Sequence, residues 1–151
     1  MSAEFGVRSA ERQISPMQHN NLKHRTKQFA LRIMRVSEAM PRTIAADVLS
    51  RQIVRSATSV AANYRSACRA RSNADFIAKM GLVEEESDES GLWLELITEA
   101  GFLSVKRVSG LHAEAGELTA IAVASIRTAR RRKGVQHSAL RTPHSAFRTP
   151  Q

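Results

Sequence analysis

A chain of 151 residues can form one domain with a real core, and with aromatics at 5% that core must be aliphatic and alanine-rich, which favours helices. A net charge of +9 and a pI near 11 favour polyanionic partners. One cysteine excludes an intramolecular disulfide, and there is neither an apolar run of membrane-spanning length (about 20 residues) nor an apolar signal core, so a reducing cytoplasmic setting off the membrane is expected.

Residues 1–20 are polar and aperiodic and read as a loose arm. Leu22, Phe29, Ile33, Val36 and Met40 then recur at helical spacing until Pro41 stops the pattern, predicting a first helix over 21–39. A second helix is expected over 43–70. At about 100° per residue, Leu49, Ile53, Val60 and Ala67 fall on one line, flanked by Ala46, Ser56 and Tyr64. Arg51, Arg55, Arg65 and Arg69 form a narrow arc on the opposite side.

Ser72-Asn73-Ala74-Asp75 is a capping box with Asp in place of the usual Glu, and it opens a third helix running to about 102. Phe76, Met80, Val83, Ser87, Leu94 and Ile97 form its core face. Leu82, Trp93 and Leu96 form a second apolar face, with Glu86 and Glu89 on the same side. A single bundle core cannot use both faces, so these five residues are candidate subunit-interface positions. Ser104 to Ser109 reads as a turn. A fourth helix over 110–132 turns Leu111, Ala115, Leu118, Ala122, Ser125 and Ala129 inward and ends in Arg130-Arg131-Arg132-Lys133.

The tail carries a seven-residue repeat, His137-Ser138-Ala139-Leu140-Arg141-Thr142-Pro143 followed by His144-Ser145-Ala146-Phe147-Arg148-Thr149-Pro150. Each unit has one large apolar residue and a proline, too little for a core, so 134–151 is expected to be disordered. The organisation expected is therefore an arm over 1–20, a bundle domain over 21–133 and a tail over 134–151. Four helices with short connections imply an all-α, antiparallel up-down-up-down four-helix bundle.

Charge is unevenly spread. Residues 42–71 hold six arginines and one acid, Asp47, whereas 84–99 hold seven acids and no Lys or Arg. The arginine arc spans about 27 Å of helix and could hold phosphates; the competing reading is a solvated face or ion pairs with third-helix acids. Arg127, Arg130, Arg131, Arg132 and Lys133 could form a polyanion-binding arm, or simply a favourable helix end.

No catalytic constellation is evident. Glu85, Glu86, Asp88 and Glu89 resemble carboxylates awaiting a metal, but a di-metal bundle site wants Glu-x-x-His, which is absent from the sequence, so no metal and no cofactor are expected. Cys68 reads as a packed small residue, and His112 as surface or turn chemistry. Gly81, Gly91 and Gly101 lack the strand and Gly-Lys-Ser/Thr of a phosphate loop, and read as sites of close helix approach. Gln52, Ser59 and Asn63 beside the core stripe could line a channel, or be structural polar residues that hydrogen-bond across helices and fix register; Ser72 and Asp75 are structural cap residues.

The chain resembles bacterial four-helix bundle proteins related to the 23S ribosomal RNA intervening-sequence protein. The resemblance rests on Gln52, Arg55-Ser56-Ala57-Thr58-Ser59-Val60-Ala61-Ala62-Asn63-Tyr64-Arg65, Ala70-Arg71-Ser72, Asp75-Phe76, Lys79, Glu85-Glu86, Asp88-Glu89 and Leu92-Trp93-Leu94-Glu95-Leu96, and covers about 22–132. It implies a homopentamer around a central channel, and favours the register-fixing reading of Gln52, Ser59 and Asn63. A related branch, the accessory protein of diversity-generating retroelements, implies RNA or DNA and a reverse transcriptase as partners; the acidic third helix and the repeat tail depart from that branch. The expectation is a noncatalytic oligomeric scaffold or adaptor engaging nucleic acid or a nucleic-acid enzyme through a basic face. The alternative is a structural or protein-binding oligomer without nucleic-acid binding.

Overall fold

The structure, a computed structural model, describes residues 16–139, with side chains over 21–134. Among these residues there are four helices and no strand: α1 (Pro16–Glu38), α2 (Ile44–Cys68), α3 (Asn73–Glu99) and α4 (Val105–Ala139). Helix α3 packs against both α2 and α4, α1 packs against α2, and α1 meets α4 more sparsely. The expected four-helix bundle is the fold.

Local chemistry sets the ends. Pro16 opens α1, where its missing N–H costs nothing. Thr43 caps α2 by accepting from the Ala46 N–H at 3.2 Å, and Ser72 caps α3 by accepting from the Asp75 N–H at 3.0 Å. α3 ends in a Schellman motif: Phe102 N–H donates to the Ile97 carbonyl and Gly101 N–H to that of Thr98, both at 3.0 Å. Gly101 has φ +74°, which explains a glycine there.

Several boundaries differ from those expected, including that of α3, which ends at Glu99 rather than near 102. α1 begins at Pro16, so residues 16–20 are helical rather than part of the arm. α4 begins at Val105, within the segment read as a turn, because Arg107 N–H already bonds the Ser104 carbonyl at 3.0 Å. α4 also continues through Ala139, so 134–139 are helical. The remainder of the expected arm and tail, 1–15 and 140–151, lies outside the described residues.

The core follows the predicted faces closely. Phe29, Ile33, Ile53, Val60, Tyr64, Phe76, Met80, Leu94, Ile97, Leu118 and Ala122 are all buried. On α4 the inward position is Ile126, and Ser125 is half-buried with its hydroxyl donating to the Ile121 carbonyl at 2.8 Å. The core also contains hydroxyls. Ser56 on α2 meets Ser90 on α3 at 2.8 Å, and Ser87 on α3 meets Thr119 on α4 at 2.8 Å. Ser56, Ser87 and Ser90 are fully buried, and each is bonded, as buried polar groups must be.

Candidate nucleic-acid interface

Opposite charges on neighbouring helices meet at two places. Arg55 on α2 donates from Nη1 to both oxygens of Glu86 at 3.2 Å, and from Nη2 to Glu89 Oε1. These contacts, Glu89 first, raise the Arg55 pKa above its ordinary value. Trp93 Nε1–H donates to the same Glu89 oxygen at 3.1 Å. Arg25 on α1 forms a fork on Glu114 of α4, at 2.9 and 2.8 Å, and reaches Glu117 at 2.7 Å. The Glu114 bonds are the chief cause of its raised pKa. Nothing in the sequence singles out Arg25, because it lies far along the chain from its partners.

The arginine arc is therefore divided. Arg55 is engaged by third-helix acids, as one of the two sequence readings required. Arg51, Arg65 and Arg69 are exposed and have no salt bridge among the described residues. Gln52 and Asn63 bond within α2, to Arg55 Nε at 3.4 Å and to the Ser59 carbonyl at 2.9 Å, rather than across helices. The cross-helix polar contacts belong instead to the serine and threonine hydroxyls.

Antiparallel topology brings the late part of the arginine arc and the α4 cations to one end, while Arg51, early in α2, lies toward the other. The last turn of α2 carries Arg65, the α2–α3 turn carries Arg69 and Arg71, and early α3 carries Lys79. That turn lies beside the late part of α4, because Asn73 Nδ2 donates to the Ala129 carbonyl at 2.9 Å. Arg127, Arg130, Arg131, Arg132 and Lys133 follow around that level and are all exposed. Against these cations, residues 65–79 contribute one acid, Asp75, and 127–134 contribute none. The Asp75 carboxylate accepts from the Arg71 backbone N–H at 3.3 Å.

The helix-end explanation for Arg130–Lys133 does not hold. α4 runs six residues past Lys133, to Ala139, and the helix dipole acts on charges within about the last turn. These cations lie before that turn.

On the acidic side, a groove of about 360 Å³ separates α3 from α4, with Asp88, Gly91, Glu95, His112, Gly116 and Thr119 among its lining. His112 Nε2 lies 2.9 Å from Glu95 Oε1 across it. The Ser87 hydroxyl in the same groove bonds the Val83 carbonyl and Thr119 rather than His112, so no nucleophile–base pair is assembled there. Among the described residues no group of three or more His, Cys, Asp or Glu could hold a metal ion, and no helix is long and apolar enough to cross a membrane.

The candidate interface residues on α3 lie as a strip. Leu82 and Leu96 are exposed, and Trp93 is half-buried against the core. Glu86 and Glu89 are bonded to Arg55 within the chain. Gly81, Gly91 and Gly101 are not sites of close helix approach, since a Cβ at any of them would meet nothing within 4 Å; a Cβ at Gly110 would lie 3.3 Å from Arg32 Nη2. Cys68 packs half-buried against the core beside Tyr64.

The family model described as 23S rRNA-intervening sequence protein matches residues 18–124. A solved structure from Bacteroides thetaiotaomicron, of a protein with unknown function from the S23 ribosomal protein family, is 30% identical in sequence. The alignment covers 72% of this chain and 97% of that one, with a TM-score of 0.67. No curated protein matches the chain.

Proposed function

The chain belongs to the 23S rRNA-intervening sequence protein family, and from that premise we propose that it is a noncatalytic homo-oligomeric scaffold whose basic bundle end engages nucleic acid. The observation that carries this reading is the convergence of Arg65, Arg69 and Arg71 with Arg127–Lys133 at one end, with Asp75 the one acid among those segments. Such an end holds phosphate by charge, without base readout. Oligomerisation, pentameric by the family resemblance, multiplies a weak charged face into useful avidity. Leu82, Trp93 and Leu96 on α3 are the surface proposed for self-association. A reverse transcriptase or other nucleic-acid enzyme is the further partner this scaffold would serve, and the setting proposed is cytoplasmic.

A structural oligomer without nucleic-acid binding is the second reading. It is favoured by Arg55, which is taken up by Glu86 and Glu89.

The test is fluorescence anisotropy on labelled nucleic acid with the variant Arg65→Glu/Arg69→Glu, alongside light scattering. Loss of binding with an unchanged particle mass supports the scaffold. Unchanged binding overturns the assignment to this end. A particle that falls apart makes the arginines interface residues and favours the structural reading.

A further inference from the structure

Two surface features take no part in the basic end. The first is aliphatic. Ile44 and Val48, early in α2, are 87% and 53% exposed. At about 100° per residue, both lie within about 20° of the line through Arg55. Arg55 reaches Glu89 on α3, whose carboxylate also takes the Trp93 N–H. In the antiparallel α2–α3 pair, Ile44 and Val48 therefore lie beside the part of α3 that carries Trp93 and Leu96, and the four make one apolar face. The charges within it, Arg55, Glu86 and Glu89, are bonded to one another, so covering them leaves no ion unpaired. Arg51 stands exposed next to Val48.

The second feature is the groove between α3 and α4. Leu92 and Ala115 line it with apolar surface, and Gly91 and Gly116 keep it open, since a Cβ at either would meet nothing within 4 Å. Asp88 on its rim is exposed and has no salt bridge among the described residues. Its carboxylates repel phosphate, so nucleic acid does not suit it. Aliphatic side chains with a cation beside them do. Helices α2 and α4 pack on different sides of α3, so a chain cannot seat its own Ile44–Val48 face in its own groove. A second copy can.

We propose that the α3–α4 groove of one copy receives the Ile44–Val48 face of a second copy, with Arg51 of one paired to Asp88 of the other. Face and groove are different patches, so the contact is heterologous, and each copy engages one neighbour through its face and another through its groove. This rests on the homo-oligomer reading above and names the surface that the α3 strip meets.

The experiment is light scattering on the full chain, with helical circular dichroism as the check on folding. Ile44→Glu/Val48→Glu disables the face, and acids suit the start of a helix. Gly116→Leu fills the groove, and leucine favours helix over glycine. Each variant alone is expected to lose about half of the native particle mass or more. An equimolar mixture should recover a species that pairs one of each, because each variant keeps the patch that the other lost. Arg51→Asp is expected to weaken the particle, and Asp88→Arg in the same chain to restore it. Native mass in both patch variants, a mixture no heavier than its components, or no restoration by Asp88→Arg overturns the proposal and leaves the homo-oligomer reading standing. A native chain that is monomeric overturns both.

Discussion

Arg55 and Glu89 form a charge-assisted bond between α2 and α3, and the indole N–H of Trp93 donates to the same carboxylate oxygen. The arginine thus belongs to the internal electrostatics of the bundle, and neighbouring members of its arc do not. Arg55→Ala is expected to lower stability by no more than about 1 kcal/mol, because the pair is partly solvated. Arg55→Glu is expected to cost more, by setting a third carboxylate against Glu86 and Glu89. Urea unfolding followed by Trp93 fluorescence reads both, and nucleic-acid affinity should stay unchanged in Arg55→Ala.

The Arg25 fork fastens α1 to α4, a pair of helices that otherwise touch sparsely. Arg25→Ala is expected to cost about 1–2 kcal/mol, at the upper end for partly exposed pairs because the geometry is bidentate. A double-mutant cycle with Glu114→Gln should return most of that loss as coupling. Additive single effects would mean that the fork contributes nothing specific.

Two glycines on or next to α3 should respond oppositely. Gly91 is helical, and a Cβ there meets open space, so Gly91→Ala should stabilise by about 0.5–1 kcal/mol. Gly101 has φ +74°, so Gly101→Ala should destabilise by about 1 kcal/mol. Thermal melts of the two variants decide it.

Burial, with Cys68 as a smaller contributor, pushes the Tyr64 phenol above its ordinary pKa of about 10. The folded state therefore keeps this proton to higher pH than the unfolded chain does. Its contribution is fully present below about pH 10 and is lost as pH rises toward the folded value, by at most about 1.4 kcal/mol per pH unit. Urea midpoints from about pH 9 to about pH 11 should fall, and Tyr64→Phe should flatten that fall. An unaltered slope in the variant would assign the alkaline loss to other groups.

The helical faces were legible because apolar spacing and burial share one period. Phe76, Met80, Val83, Leu94 and Ile97 sit where that period puts them. Ends were less legible. The sequence predicts the fourth helix from position 110, yet α4 begins at Val105 and passes through Gly110. The basic run reads as the end of the fourth helix, since charge there is ordinarily a terminal signal, whereas α4 continues to Ala139. Ser125 and Ile126 straddle the core line through Ala122 and Ala129, about 50° to either side of it, and the apolar side chain of Ile126 takes the inward place. The arginine arc was visible as a pattern, but which member pairs with an acid depends on the level at which α3 packs. That level is marked by Ser56 against Ser90, two small polar residues with no signal of their own.

The central claim is that the basic end of the bundle holds phosphates. The most direct measurement is the salt dependence of DNA affinity for the full chain and for Arg65→Glu/Arg69→Glu. Log Kd against log salt should be steep for the native chain, and its slope should fall by about 1 for each phosphate contact removed. Identical slopes in the two proteins, or an affinity indifferent to salt, would contradict the account.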